Sequence, residues 1–201
     1  HQHLDRFPDG QLFADLQGFS PTGQPAAPTD VLARFLDGLG VTRDRQPGDR
    51  DCRADLYRSM VADKRMLIVL DNAASTDQIT PLLPGSRHST VLITSRNRLR
   101  GLVARHGAHP VHLGVLTASE ARGMLTTTVG AAGDARAVAE LSALCGGFPL
   151  ALGVIAGRVA ANPRLPLQDV VAELRAFGLA ALDCDDPTAS LPTALSWSLR
   201  H

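Results

Sequence analysis

The sequence predicts an α/β fold, a P-loop NTPase-like parallel sheet with crossover helices followed by a small all-α bundle. Two patterns in the residues carry the α/β part of that expectation. Short apolar runs alternate with helical patterns through the first half of the chain, the arrangement that yields parallel strands joined by helices. No strand pattern returns after residue 113, and four helical patterns occupy 117 to 177 instead. At 201 residues, 44% hydrophobic and 20% charged, the chain is of globular composition and long enough for one large or two small domains.

The first strand is expected near Gln11 to Leu16. The segment GFSPTGQPAAPTD at 18–30 is too rich in glycine and proline to be regular throughout, and reads as a surface connection. From Asp30, residues Val31, Leu32, Phe35, Leu36 and Leu39 recur at helical spacing, and Gly40 supplies the stop. A second helix is expected near Asp51 to Ala62, followed by the buried runs MLIVL at 66–70 and TVLIT at 90–94 and a last strand near His109 to Leu113. Thr117 and Glu120 have the T-x-x-E spacing of a capping box. Helices follow near 118–128, 135–145, 149–161 and 167–177, separated by GAAGD, GG and NPRLP. Val138, Leu141 and Leu144 share one face of the second, and Val170, Val171 and Leu174 one face of the fourth. In LCGGFPLAL two glycines end one helix and Pro149 opens the next. DCDDPTASLP reads as an acidic linker, and TALSWSLRH as the start of a helix that the chain does not finish.

Several functions are disfavoured. The 20 basic and 20 acidic residues cancel, so the electrostatic footprint of nonspecific DNA binding is missing. Cys52, Cys145 and Cys184 are odd in number, far apart and without C-x-x-C, which argues against a disulfide framework or zinc site and fits a reducing, cytoplasmic setting. The longest apolar stretch, around Leu150 to Gly157, is too short to span a bilayer, so no membrane is expected. His106, His109 and His112 invite a metal reading, but an extended 109–113 would point His109 and His112 to opposite faces. GFSPT misses the last glycine of a nucleophile elbow.

The candidate chemistry starts at Asp71, where MLIVL runs straight into an acid. In open α/β sheets ligands bind beyond the carboxyl ends of the strands. An acid there either orients a hydrated magnesium ion on nucleotide phosphates or caps the next helix, and the run alone does not separate the two. The strand TVLIT delivers Thr94, Ser95 and Arg96 to the same edge if the two strands are parallel. An arginine there can sense a terminal phosphate through its planar fork, and among the three arginines of SRNRLRG, Arg96 lies nearest the strand end.

MLIVLDNA, TVLITSRNRL, LTASEA and CGGFPLAL, in this order and spacing, resemble the NB-ARC module of the STAND class of signalling NTPases. The opening DRFPDGQLFADLQGFSPTGQP is similar to the segment after the P-loop helix in the actinobacterial branch, which includes regulators of antibiotic production, and LPTALSWSLRH to the start of its winged-helix domain. The resemblance implies three regions: a truncated nucleotide-binding α/β domain at 1–115, a helical bundle at 116–180, and a linker with the start of a winged helix at 181–201. It implies ATP or ADP with magnesium as cofactor in the intact parent. Asp71 becomes the acid that holds magnesium through water, Thr94 and Arg96 nucleotide contacts, and Pro149 the residue that packs against the adenine. Asn72 departs from the second acid often found there, and an amide cannot act as a general base, which implies slow hydrolysis or a nucleotide held as a switch ligand.

Lys64, the sole lysine, sits in ADKRM, so no G-x-x-x-x-G-K-[ST] phosphate loop exists in this chain. The expectation is a fragment lacking the first strand and phosphate loop, with little nucleotide affinity by itself. The sheet would then have a gap or unpaired edges that favour self-association. Partners would be a second copy or the parent's other domains, with DNA contacted only through those domains. A nucleotide-free interaction scaffold is the competing reading.

Overall fold

A computed structural model describes residues 4–19, 24–129 and 134–178. The chain divides into two compact units between Pro110 and Val111. The expected linker and winged-helix start at 181–201 lie outside the described residues.

The first unit is built on strands β1 (Gln11–Asp15), β2 (Leu67–Asp71) and β3 (Thr90–Ile93). They form a parallel sheet in the order β1-β2-β3, with Gln11 opposite Leu67 and Leu67 opposite Thr90. Helices α1 (Pro28–Gly38) and α2 (Arg50–Val61) join β1 to β2, and the short α3 (Thr76–Ile79) leads from β2 towards β3. Helix α4 (Arg100–His106) follows β3. The expected gap in the sheet is absent: β2 pairs directly with both neighbours, because an empty position would leave two rows of backbone groups without partners.

Local chemistry explains the elements. Pro28 pre-sets the first turn of α1. The helix ends in a paired backbone lock, Gly40 N–H to Asp37 O at 3.0 Å and Val41 N–H to Leu36 O at 2.9 Å, with Gly40 at φ 90°. Asp49 caps α2, its carboxylate accepting from the N–H groups of Asp51 (2.9 Å) and Cys52 (3.0 Å). Leu12, Ala14, Ile68 and Leu70 point to one face of the sheet and are buried with Val31, Leu32, Phe35 and Leu36 of α1 and Tyr57 of α2.

The strand expected at His109 to Leu113 does not form. Residues 107–116 have no regular structure, and Leu113 is 93% exposed. Gly107, at φ 64°, closes α4, and Pro110 has no N–H to give to a ladder. His109 and His112 are therefore not on opposite faces of a strand, and that argument about them lapses.

The second unit contains α5 (Ala118–Val129), α6 (Ala135–Leu144), α7 (Pro149–Ala161) and α8 (Leu167–Phe177), close to the expected positions. The capping box at its start is formed: Thr117 N–H donates to Glu120 Oε2 at 2.8 Å and Glu120 N–H to Thr117 Oγ1 at 3.3 Å. Its core unites Leu125, Leu141, Leu152, Ile155, Val171 and Leu174. One expectation fails in detail: Leu144 is 38% exposed, and Cys145, a full two turns beyond Val138, takes the inward place. Among the described residues no helix is long and apolar enough to cross a membrane.

Candidate functional site at the carboxyl edge of the sheet

Asp71 is the last residue of β2 and reaches the carboxyl edge beside Asp15, its partner in register. It does not cap the helix that follows. Ser75 does, with Oγ accepting from Gln78 N–H at 3.3 Å. Asp71 Oδ1 instead accepts the hydroxyl hydrogen of Thr94, whose Oγ1 in turn accepts the N–H of Asn72 at 2.9 Å. Two of the expected site residues, Asp71 and Thr94, are thus in direct contact. The other carboxylate oxygen of Asp71 makes no hydrogen bond among the described residues.

Asn72 has φ 56°, a left-handed conformation that asparagine tolerates better than most residues. There its side-chain oxygen accepts Phe19 N–H at 3.2 Å and its backbone oxygen accepts Gly18 N–H at 2.6 Å. The amide is a joint between two loops. A Cβ on Gly18 would lie 2.5 Å from Asn72 O and 2.6 Å from Ala73 C, so only glycine permits this approach.

The loop after β3 is sewn to the same turn. Ser95 Oγ donates to Ala73 O at 2.6 Å, and Asn97 Nδ2 to Ala74 O at 2.8 Å. Between them Arg96 lays its guanidinium 5.5 Å from the centre of the Phe19 ring. Beneath, Gln78 is a buried polar side chain that spends every donor and acceptor it uses on backbone: Nε2 donates to Leu16 O (2.8 Å) and Ala26 O (2.9 Å), and Oε1 accepts Ala74 N–H (2.9 Å). It ties together both ends of the β1–α1 connection and the turn after β2.

Pro149 belongs to the second unit, where it is the first residue of α7. The preceding glycines have φ 57° and 72°, and Gly147 accepts Leu116 N–H at 2.8 Å, where a side chain would strike Leu116 O. Lys64 lies just before β2, at the amino end of the sheet and away from Asp71. Among the described residues no three His, Cys, Asp or Glu side chains are placed to hold a metal ion together.

Gly18, Phe19 and Gln78 were not picked out by sequence reasoning. Gly18, one short turn past a predicted strand, was a readable signal. Gln78 gave none, because two of its three partners, Leu16 and Ala26, lie more than fifty positions away.

The class defined by these features is an α/β protein in which three loops meet at the carboxyl edge of a parallel sheet around Asp71. No protein-family model matches the chain. It is 41% identical over 177 residues to the regulatory protein AfsR of Streptomyces griseus, covering 87% of this chain and 18% of that protein. It is 38% identical over 177 residues to the regulatory protein AfsR of Streptomyces coelicolor, covering 87% of this chain and 17% of that protein. The chain therefore spans less than a fifth of the length of either relative.

Proposed function

We propose that this chain forms part of a nucleotide-dependent switch in a transcriptional regulator, an NB-ARC-like core of P-loop NTPase type that binds ATP or ADP with magnesium in the full-length protein and controls attached DNA-binding domains. The observation that carries the reading is the junction of Asp71, Asn72 and Thr94. It holds a carboxylate with one oxygen fixed by a hydroxyl and the other unengaged among the described residues, at the sheet edge where nucleotide ligands bind. Similarity to regulatory proteins supports the regulatory half.

The residues present fit half of the group. Asp71, with Asp15 beside it in register, suits magnesium, which keeps most of its waters and takes one or two carboxylates plus phosphate oxygens. When bound, the ion would neutralise phosphate charge. Asp71 would hold a metal-bound water, and Thr94 would keep that carboxylate in one rotamer. Arg96, which lies against Phe19, would meet a terminal phosphate by exchanging that contact for a bidentate one. Asn72 offers no base, so the reading is a switch with slow hydrolysis. A phosphate-cradling loop is not supplied by this sequence, and Pro149 as an adenine contact belongs to the same proposal.

The test is calorimetric titration of the full-length protein with Mg–ATP and Mg–ADP. Asp71→Asn should weaken magnesium-dependent binding by about tenfold or more while leaving metal-free binding little changed. Arg96→Ala should weaken ATP more than ADP. Equal binding by wild type and both variants would refute the assignment, and fast single-turnover hydrolysis would refute the switch.

A second reading, a nucleotide-free interaction scaffold, is favoured by the position of Lys64 at the opposite end of the sheet from Asp71. Absence of nucleotide binding by the full-length protein at millimolar concentration would select it.

A further inference from the structure

The basic and acidic residues of this chain cancel in number but not in place. From Gln78 to Ser119 there is no Asp or Glu, and the same stretch holds Arg87, Arg96, Arg98, Arg100 and Arg105. A sum over the whole chain hides that segregation, because charges act mainly within a Debye length. Arg96 belongs to the sheet edge already described. Arg98, Arg100 and Arg105 do not, and all three are exposed. None of them makes an ion pair or a side-chain hydrogen bond among the described residues. Helix α4 packs against α3, whose one acid, Asp77, is exposed and forms no ion pair with them.

The backbone that carries these arginines is fixed. Leu99 sits at φ 41°, a conformation that a bulky residue holds only under constraint, and packs against the core, while Arg98 and Arg100 on either side of it are exposed. Asn97 ties the preceding turn to Ala74 O, and Leu102 anchors α4 in the core. At Gly101 a Cβ would lie 3.0 Å from Thr76 Oγ1 and 3.2 Å from Arg105 Nη2. The glycine lets α4 approach α3 and lets the Arg105 guanidinium fold back towards the start of the helix.

We propose that Arg98, Arg100 and Arg105 form a contact for the phosphate backbone of duplex DNA, without readout of sequence. Seven helical residues span about 10 Å, over which one strand of a duplex carries about three phosphates. Arginine meets phosphate with a planar, permanently charged fork. The other polyanions fit less well. An acidic protein partner takes its affinity from large buried anchors between the charges, and Val103 is the single exposed large apolar side chain on α4. One such residue does not seat a helix in a membrane surface either. Single strands bind through aromatic platforms, and no Phe, Tyr or Trp occurs between residues 78 and 119. The contact itself is independent of nucleotide. Only its use rests on the function proposed above: tethering to DNA-binding domains makes a weak contact effective.

The experiment is fluorescence anisotropy of the 201-residue chain, without nucleotide, on a labelled duplex of arbitrary sequence. Three phosphate contacts give a slope of about −2.7 in log affinity against log salt, a loss of about 40-fold between roughly 50 and 200 mM. Arg98→Gln, Arg100→Gln and Arg105→Gln should each flatten the slope by about 0.9. All three together should abolish binding with the melting temperature unchanged, whereas Arg98→Lys, Arg100→Lys and Arg105→Lys together should keep the slope. Arg6→Gln, Arg65→Gln and Arg87→Gln, which precede the three strands at the opposite end of the sheet, should leave binding intact. Undetectable binding at 50 mM salt would overturn the proposal, as would an equal loss from the variants at the opposite end. So would preference for single-stranded DNA, or tighter binding to polyglutamate or to phosphatidylserine vesicles than to the duplex. Failure here leaves nucleotide binding by the full-length protein untouched, and failure of nucleotide binding leaves this slope unchanged.

Discussion

The packed and bare faces of the sheet are made by the same three strands from the same kinds of side chain. Leu12, Ala14, Ile68 and Leu70 face the helices, whereas Phe13, Val69 and Leu92 face away. The strands read as near-continuous apolar runs, the pattern of a sheet buried twice, so composition does not tell the faces apart. Only the direction of the crossovers does. A face is a core when helices arrive on it, and here both connections arrive on the same side.

The comparison can be broken most directly within β2. Ile68→Ala removes a fully buried side chain beneath the helices and should cost about 2–5 kcal/mol in urea denaturation. Val69→Ala, one residue on, should cost under about 1 kcal/mol in the same 201-residue chain. Equal losses would show that the bare face is covered in that chain.

A smaller effect tests how the packed side holds the carboxyl edge. Gln78→Leu leaves Leu16 O, Ala26 O and Ala74 N–H without their partner, and should cost about 2–3 kcal/mol. Gly18→Ala forces a methyl into the backbone at 72–74 and should cost about 1–3 kcal/mol. Both should also raise hydrogen exchange at Gly18 and Phe19. Exchange confined to the bare face instead would sever the edge from the packed side.

The smallest effect concerns the caps of the covering helices. Backbone N–H groups of Cys52 and Asp51 hold the Asp49 carboxyl below its usual range. A carboxyl depressed in the folded state stabilises above its unfolded pKa and loses that contribution as pH falls through the folded value. The melting-temperature gap between wild type and Asp49→Ala should therefore narrow from pH 7 to pH 3. A constant gap would mean that the carboxylate charge contributes nothing to α2.

Legibility followed the range of the interactions. The helices of the second unit were readable nearly to their ends, because their period, Pro149 and the Thr117–Glu120 box are local signals. The strand expected at 109–113 misled because a short run with strand-like residues becomes a strand only where a sheet edge pairs with it, and here it stays an exposed segment. At the edge of the sheet, Asp71 was legible as an acid closing an apolar run, and Thr94 as the end of the next strand. That Thr94 would give its hydroxyl to Asp71 was not, since residues 23 positions apart meet only through strand register.

By itself the sequence determined most of the segments that became helix or strand, through periodicity, caps and stops that act within a turn or two. It also determined that an acid and an arginine would each follow the carboxyl end of an apolar strand. Only the tertiary structure decided that β2 would pair with both neighbours, that Asn72 would serve as a joint between loops, and that one apolar face would be roofed while the other stayed open. Those outcomes depend on pairing and crossover direction between segments distant in the chain, and no local run of residues encodes a direction.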